Sequence, residues 1–136
     1  MDPRIFDKTI ILITKALDFR ALRHQLIASN IANVDTPNYK AVDIEFEDEL
    51  QRVLNCKDSI SLQRTHPEHL PYFSELQTLT PKVITESSSS QRIDGNNVDL
   101  DKEMVKLSEN NLMYDALIEA LIKKFQLLKI AIKEVK

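Results

Sequence analysis

A chain of 136 residues with a formal net charge of −3 is sized for one domain, or one domain with a flexible insert. Its single glycine, Gly95, leaves no Gly-rich loop to cradle phosphate and few of the tight turns an all-β fold needs. The acidic balance has no basic excess to displace counterions from nucleic acid, and the lone Cys56 excludes an internal disulfide and a cysteine-rich zinc cage.

Asp2-Pro3 is a good helix opening, with a carboxylate able to cap and a proline whose missing N–H costs nothing in the first turn. Phe6, Ile10, Ile13 and Leu17 keep a four-three spacing, Arg20 and His24 interrupt it, and Ile27, Ile31 and Val34 resume it. Leu12, Ala16, Phe19 and Leu26 widen the stripe, so the spacing predicts a long amphipathic helix to about Asn33. Thr36-Pro37 stops it, because a residue before proline is pushed out of the α region. Ile10 to Ile13 is too short a run to span a bilayer, and Asp2 and Asp7 oppose the cationic lead of a secretory signal.

Asn30 and Asn33 lie three apart on one helical face, and each amide can bond a backbone group of another chain or of the turn that follows. The plainer reading is an Asn-rich helix end followed by a Pro-Asn turn with Asn38 in the left-handed conformation. Beyond it Val42, Ile44 and Phe46 alternate with Asp43, Glu45 and Glu47, as a short strand does. Phe46, Leu50, Val53 and Leu54 then fit a brief helix. The acids from Asp43 to Glu49 read as a solvated face, with a basic partner surface as the alternative.

From about Asn55 to Arg92 the chain is least organised, cut by Pro67, Pro71 and Pro81. Ile60 and Leu62 alternate with serines, and Lys82 to Thr85 is another β-prone run, so the two together suggest a small hairpin. Ser87 to Ser90 reads as a linker. His66 and His69, with Cys56 and His24 as further donors, raise a metal site. No third ligand has a recognised spacing and Pro67 disfavours a helical presentation, so a surface loop is the stronger reading.

Asp94-Gly95-Asn96 is a turn signal, and Asn97 or Asp99 can cap the helix that follows. From Leu100, alternate steps of four and three land on Met104, Leu107, Asn111, Tyr114, Ile118, Leu121, Phe125, Leu128, Ile132 and Val135, apolar at every stop but Asn111. That is a heptad seam on one uninterrupted helix, with acids in its first turn and lysines near its end. A second row, through Met113, Leu117, Ala120, Leu127 and Ala131, offers room for another neighbour. Such a helix either folds back on its own chain or packs between molecules. Asn111 within the seam either restricts register at some cost in stability or is a polar residue tolerated at the edge. The fold expected is mainly α, with long N-terminal and C-terminal helices pairing as an antiparallel coiled coil. Residues 1–40 would form the first helix and turn, 41–92 a small irregular middle with short extended elements, and 93–136 the coiled-coil helix.

The stretch around Asn30, Asn33, Thr36 and Tyr39 resembles the Ala-Asn-x-x-Asn-x-x-Thr-x-Gly-Tyr signature of flagellar rod, hook and hook-associated axial proteins, with Asn38 where that family usually has Gly. Lys40 to Phe46, the Thr65-His66-Pro67-x-His69-Leu70-Pro71 phrase, and Asp94-Gly95-Asn96-x-Val98-Asp99 followed by Glu109-Asn110-x-Leu112-x-Tyr114 are similar to segments of the FlgB family of proximal-rod proteins. This resemblance implies a structural subunit of the bacterial flagellar basal-body rod, linking the membrane ring to the distal rod, with no catalytic role, metal or cofactor. It implies homo- and hetero-oligomeric assembly with other rod subunits, the adaptor between membrane ring and rod, and the flagellar export gate. Localisation would be the rod on the periplasmic side, after export without a cleaved signal peptide. The assembly residues expected are Asn30, Asn33, Thr36 and Tyr39 in the turn, and Leu107, Asn111, Tyr114, Ile118, Leu121, Phe125 and Leu128 along the seam. A cytoplasmic coiled-coil adaptor or chaperone using the same seam is the alternative, and a small metal-dependent enzyme using His66 and His69 a third reading.

Overall fold

The structure is a computed structural model that describes residues 8–48, 50–51, 79–86 and 93–134. Helix α1 spans Lys8–Ala32, strand β1 Val42–Glu45, strand β2 Lys82–Thr85 and helix α2 Leu100–Glu134. Both helices run without Gly or Pro. Where α1 ends, the Asn33 N–H is shared between the Ser29 and Asn30 carbonyls and the Val34 N–H reaches Ile31, a tightening that closes the last turn before Pro37.

Asp99 caps α2: its Oδ1 accepts the N–H groups of Asp101 at 3.1 Å and Lys102 at 3.4 Å. Asp101 and Glu103 occupy the first turn and Lys133 the last, each at the end of the dipole that favours its charge. The 35 residues of α2 extend about 52 Å at 1.5 Å per residue.

The two helices pack antiparallel, as expected from the sequence. Asn30 near the end of α1 bonds Glu103 near the start of α2, and Asn110 bonds the Arg20 carbonyl ten residues back along α1. The face of α2 turned inward differs from the expected seam. Its covered positions are Glu103, Lys106, Leu107, Asn110, Tyr114, Leu117, Ile118, Leu121, Lys124 and Leu128. Leu107, Tyr114, Ile118, Leu121 and Leu128 belong to the expected seam. At Glu103, Asn110 and Lys124 the covered stop lies one residue before Met104, Asn111 and Phe125, and because the other stops are shared the face as a whole turns by about 50°. Asn111 is exposed and the buried amide is Asn110, so the register role considered for Asn111 does not arise in this pairing.

β1 pairs antiparallel with β2, Val42 opposite Thr85 and Glu45 opposite Lys82. β2 thus finds a partner in the segment that follows the turn, and the run containing Ile60 and Leu62 lies outside the described residues. The inward side chains of this ribbon meet α1: Phe19, Ile44, Phe46 and Leu79 form a buried cluster edged by Leu22, Leu26 and Leu50. The Phe19 and Phe46 rings sit 5.3 Å apart, tilted at 54°. After β1 the Leu50 N–H bonds the Phe46 carbonyl, opening the expected helical turn. The expected features at Asp2-Pro3, Phe6, Val53 and Leu54, Cys56, His66, His69, Ser87 to Ser90 and Val135 lie outside the described residues.

Candidate functional site

The residues singled out at the end of α1 converge. Asn30, 1% exposed, uses every hydrogen-bonding position of its amide. Nδ2 donates to the Val42 carbonyl and to Glu103 Oε2, each at 2.9 Å, while Oδ1 accepts the Val42 N–H at 3.1 Å and the Tyr39 hydroxyl at 3.2 Å. One side chain thus pairs with both backbone groups of the first residue of β1 and ties them to α2. Asn33 turns the other way: its Nδ2 bonds the Ser29 carbonyl and its Oδ1 accepts the Thr36 hydroxyl at 3.1 Å. The amides therefore serve the chain's own turn.

Asn38 adopts φ 61°, as anticipated, and donates its N–H to the Asp94 carbonyl at 2.9 Å. That bond joins the turn to a second turn 56 residues further along the chain, where Gly95 has φ 76°. A Cβ on Gly95 would lie 2.5 Å from Asn38 Oδ1, so the two left-handed residues fit only because one is glycine. Asn96, fully buried, aims its Nδ2 at the carbonyls of Asn33, Val34 and Thr36 at 2.9 to 3.0 Å and accepts the Val98 N–H at 2.7 Å. It caps the end of the other helix across the structure. Asn97 closes the strand pair, accepting the Ala41 N–H and donating to the Glu86 carbonyl, both at 2.7 Å. Sequence reasoning missed these two roles, naming only a local cap; the Asn-Asn pair after a Gly turn was the available signal.

A charged network runs beneath this double turn. Arg23 grips Asp43 bidentately, Nε and Nη2 each 2.9 Å from the carboxylate, and reaches Glu47 with Nη1 at 3.2 Å. Lys106 of α2 meets Glu103 at 2.8 Å, Asp43 at 3.7 Å and Glu86. Burial works against the charge on Asp43, but the Arg23 and Ile44 hydrogen bonds and the Arg23 and Lys106 charges outweigh it and hold the carboxyl below its ordinary range. Burial likewise opposes the Lys106 charge, and its bonds to Glu103 and Glu86 prevail, pushing the amine up. Arg23 follows the same pattern, whereas burial carries Arg20 the other way. Arg20 lies 4.9 Å over the Phe46 ring and bridges Glu47 at 3.2 Å. The expectation that Asp43 to Glu49 form a solvated face is corrected at Asp43, which is 6% exposed; Arg23, twenty residues earlier, supplies the compensating charge that a local reading does not see.

α2 presents the remaining candidates. Leu107, Tyr114, Ile118, Leu121 and Leu128 are half-buried, while Asn111 and Phe125 are exposed. Met104, Leu112, Leu127, Ile130 and Ile132 also stand in solvent, so the helix is apolar on more faces than α1 covers. A groove of about 380 Å³ between the helices is lined by Arg20, His24, Gln25, Asn110, Asn111 and Tyr114. Among the described residues no group of three or more His, Cys, Asp or Glu side chains could hold a metal ion, and no helix is long and apolar enough to cross a membrane.

Comparison with known proteins agrees with the turn. A family model described as flagella basal body rod protein matches residues 16–40, the stretch that contains Asn30 to Tyr39. Over 133 residues the chain is 40% identical to the flagellar basal body rod protein FlgB of Borrelia hermsii, covering 95% of this chain and 98% of that protein. FlgB of Bacillus subtilis (strain 168) is 34% identical over 125 residues, covering 92% and 93%. FlgB of Escherichia coli (strain K12) is 36% identical over 114 residues, covering 79% and 80%.

Proposed function

The chain belongs to the FlgB family of flagellar basal body rod proteins and is a structural subunit of the rod, and from that premise we propose that it forms the proximal drive shaft between membrane ring and distal rod by helix packing. The observation that carries this reading is the large apolar surface of α2 that α1 leaves uncovered, with Phe125 46% and Ile132 74% exposed. Burying such side chains is worth about 1.5–3 kcal/mol each, which supplies a driving force for assembly without chemistry.

In this reading the site residues divide in two. Asn30, Asn33, Thr36 and Tyr39 set the angle at which β1 and the middle segment leave α1. Leu107, Asn111, Tyr114, Ile118, Leu121, Phe125 and Leu128 form a helix surface shared between the chain's own pairing and its neighbours. The partners are other rod subunits, the adaptor joining membrane ring to rod, and the export gate. Its place is the periplasmic side of the basal body. The comparisons give no support to the adaptor or chaperone alternative.

Phe125→Asp tests the proposal. The position is exposed in the single chain, so helix content by circular dichroism is expected to stay unchanged. Desolvating the carboxylate in an interface costs about 2 kcal/mol or more, and incorporation into purified basal bodies should fall more than about tenfold. Normal incorporation with normal motility would refute it.

A further inference from the structure

α2 carries two overlapping seams that share one column. Leu107, Tyr114, Leu121 and Leu128 recur every seventh residue and are half-buried. On one side of them stand Glu103, Asn110, Leu117 and Lys124, all covered, and on the other Met104, Asn111, Ile118 and Phe125, of which only Ile118 is half-buried. Either outer column makes a regular four-three seam with the shared one. The covered column holds two charges and an amide, whereas the open one holds three apolar side chains, with Met104 49% and Phe125 46% exposed. Apolar burial alone would select the seam that α1 does not use. The seam in use also fits imperfectly. Asn110 donates Nδ2 to the Arg20 carbonyl at 3.0 Å, yet its Oδ1 is buried and, among the described residues, is the one buried side-chain polar atom without a hydrogen-bond partner. The groove of about 380 Å³ beside it is walled by both Asn110 and Asn111 and faces the small Ala21 of α1. At Leu117 and Ile118 both outer columns are half-buried, so α2 there stands between its two seams. The observed seam is held near the double turn by polar bonds, from Asn30 and Lys106 to Glu103, from Lys106 to Glu86 and from Asn110 to Arg20.

We infer that α2 has a second rotational state, turned by about 50° about its own axis, in which Met104, Asn111, Ile118 and Phe125 pack on α1 while Glu103, Asn110 and Lys124 turn out to water. The rotation swings Asn111 into the groove that the present pairing leaves open. Bonds from Glu103, Lys106 and Asn110 give way, and burial of Met104 and Phe125 offsets their loss. The polar grip is thus a switch. Engaged, it leaves the apolar column outside; released, it lets the chain cover that column with its own α1. The consequence for assembly rests on the rod-subunit reading: a chain in the released state hides the surface by which it would join its neighbours, and closing the double turn exposes it.

The test compares two double variants of the full chain, with Cys56→Ser, that add the same residues in opposite order. Asn110→Asp with Asn111→Leu puts a carboxylate in the seam now in use and a leucine in the other, and Asn110→Leu with Asn111→Asp does the reverse. Each carries Met104→Cys or Lys124→Cys as a reporter, read by the rate of maleimide labelling. For the first order the Met104→Cys thiol is expected to label about fivefold more slowly and the Lys124→Cys thiol faster by as much, with helix content by circular dichroism retained. For the reverse order both rates should stay within about twofold of those with Asn110 and Asn111 in place. Unchanged rates for the first order, or loss of its helix content, would overturn the second state. Asn111→Leu alone, at an exposed position, tests the consequence for assembly. Its incorporation into purified basal bodies should fall about threefold or more, whereas a fixed α2 with one more apolar side chain outside would incorporate at least as well as the original. That result would overturn the switch while leaving the rod reading intact. Absence of the unsubstituted chain from basal bodies would overturn the rod reading and the switch's role in assembly, and the labelling rates would then decide the rotation by themselves.

Discussion

Replacing Asn30 by alanine isolates the node on which three elements meet. The change removes four hydrogen bonds at once, to the Val42 N–H and carbonyl, Glu103 Oε2 and the Tyr39 hydroxyl. Tyr39 is only half-buried and its hydroxyl can turn to water. Glu103 is 2% exposed and loses a donor to a charged oxygen, and the two Val42 backbone groups lose the partner that pairs them at the start of β1. Leaving a buried neutral group unsatisfied costs about 1 kcal/mol and a charged one more, so the sum is about 4 kcal/mol, a large share of the 5–15 kcal/mol that folds an ordinary domain. Urea unfolding followed by circular dichroism should show the midpoint falling by about 2 M if the slope is near 2 kcal/mol/M. Asn30→Asp makes the comparison sharper. It keeps an acceptor for Val42 but loses both donors and brings a second carboxylate to Glu103, so its deficit at neutral pH should shrink on mild acidification. A midpoint shift below about 0.5 M for Asn30→Ala would show that the amide is incidental.

The charged network gives a pH dependence of stated sign. Asp43 is depressed in the folded chain, so its contribution is complete above the ordinary carboxyl value of about 4 and is lost as pH falls from there through the folded value. Lys106 is raised, so its contribution is complete below about 10.4 and is lost as pH rises through the folded value. Urea midpoints measured from pH 2 to pH 6 should fall on the acid side, and Asp43→Asn should flatten that limb; an unchanged limb would exclude Asp43 as its source. At the double turn, Gly95→Ala is expected to cost about 2 kcal/mol from positive φ and from the Cβ set 2.5 Å from Asn38 Oδ1. Adding Asn38→Gly should recover part of the loss in the same unfolding assay, and no recovery would place the strain elsewhere.

Periodicity and end signals were sufficient to locate both helices and their antiparallel pairing, because a long apolar stripe without Gly or Pro has few other folds open to it. The left-handed Asn38 was legible for a local reason, as one of the residue types that tolerates positive φ in a Pro-Asn-Tyr turn. Interactions between distant parts of the chain were not. Asn96 bonds carbonyls some sixty residues away and Arg23 bonds Asp43 across a turn, and nothing in either neighbourhood marks the partner. Asp43 shows the consequence: among six neighbouring residues with four acids it reads as surface, and only the fold brings Arg23 and Lys106 to it.

The rotated seam on α2 has the same origin. Counting apolar stops places Met104 and Asn111 at the helix interface, but the first two turns of that interface are held by Glu103, Lys106 and Asn110, which the count treats as outside. Polar partners on α1 and the strands fix the helix at those turns, and the rigid backbone carries that orientation toward Leu128. Met104 and Phe125 are then left outside the chain's own pairing, each one residue, about 100° round the helix, beyond a covered position. An apolar residue so displaced would be a liability in a molecule that stays alone, since it adds exposed hydrophobic surface without stabilising the fold. In a subunit that must join others it is the surface left for them. The polar grip near the double turn therefore does two things: it secures the hairpin of helices and decides which apolar row remains outside.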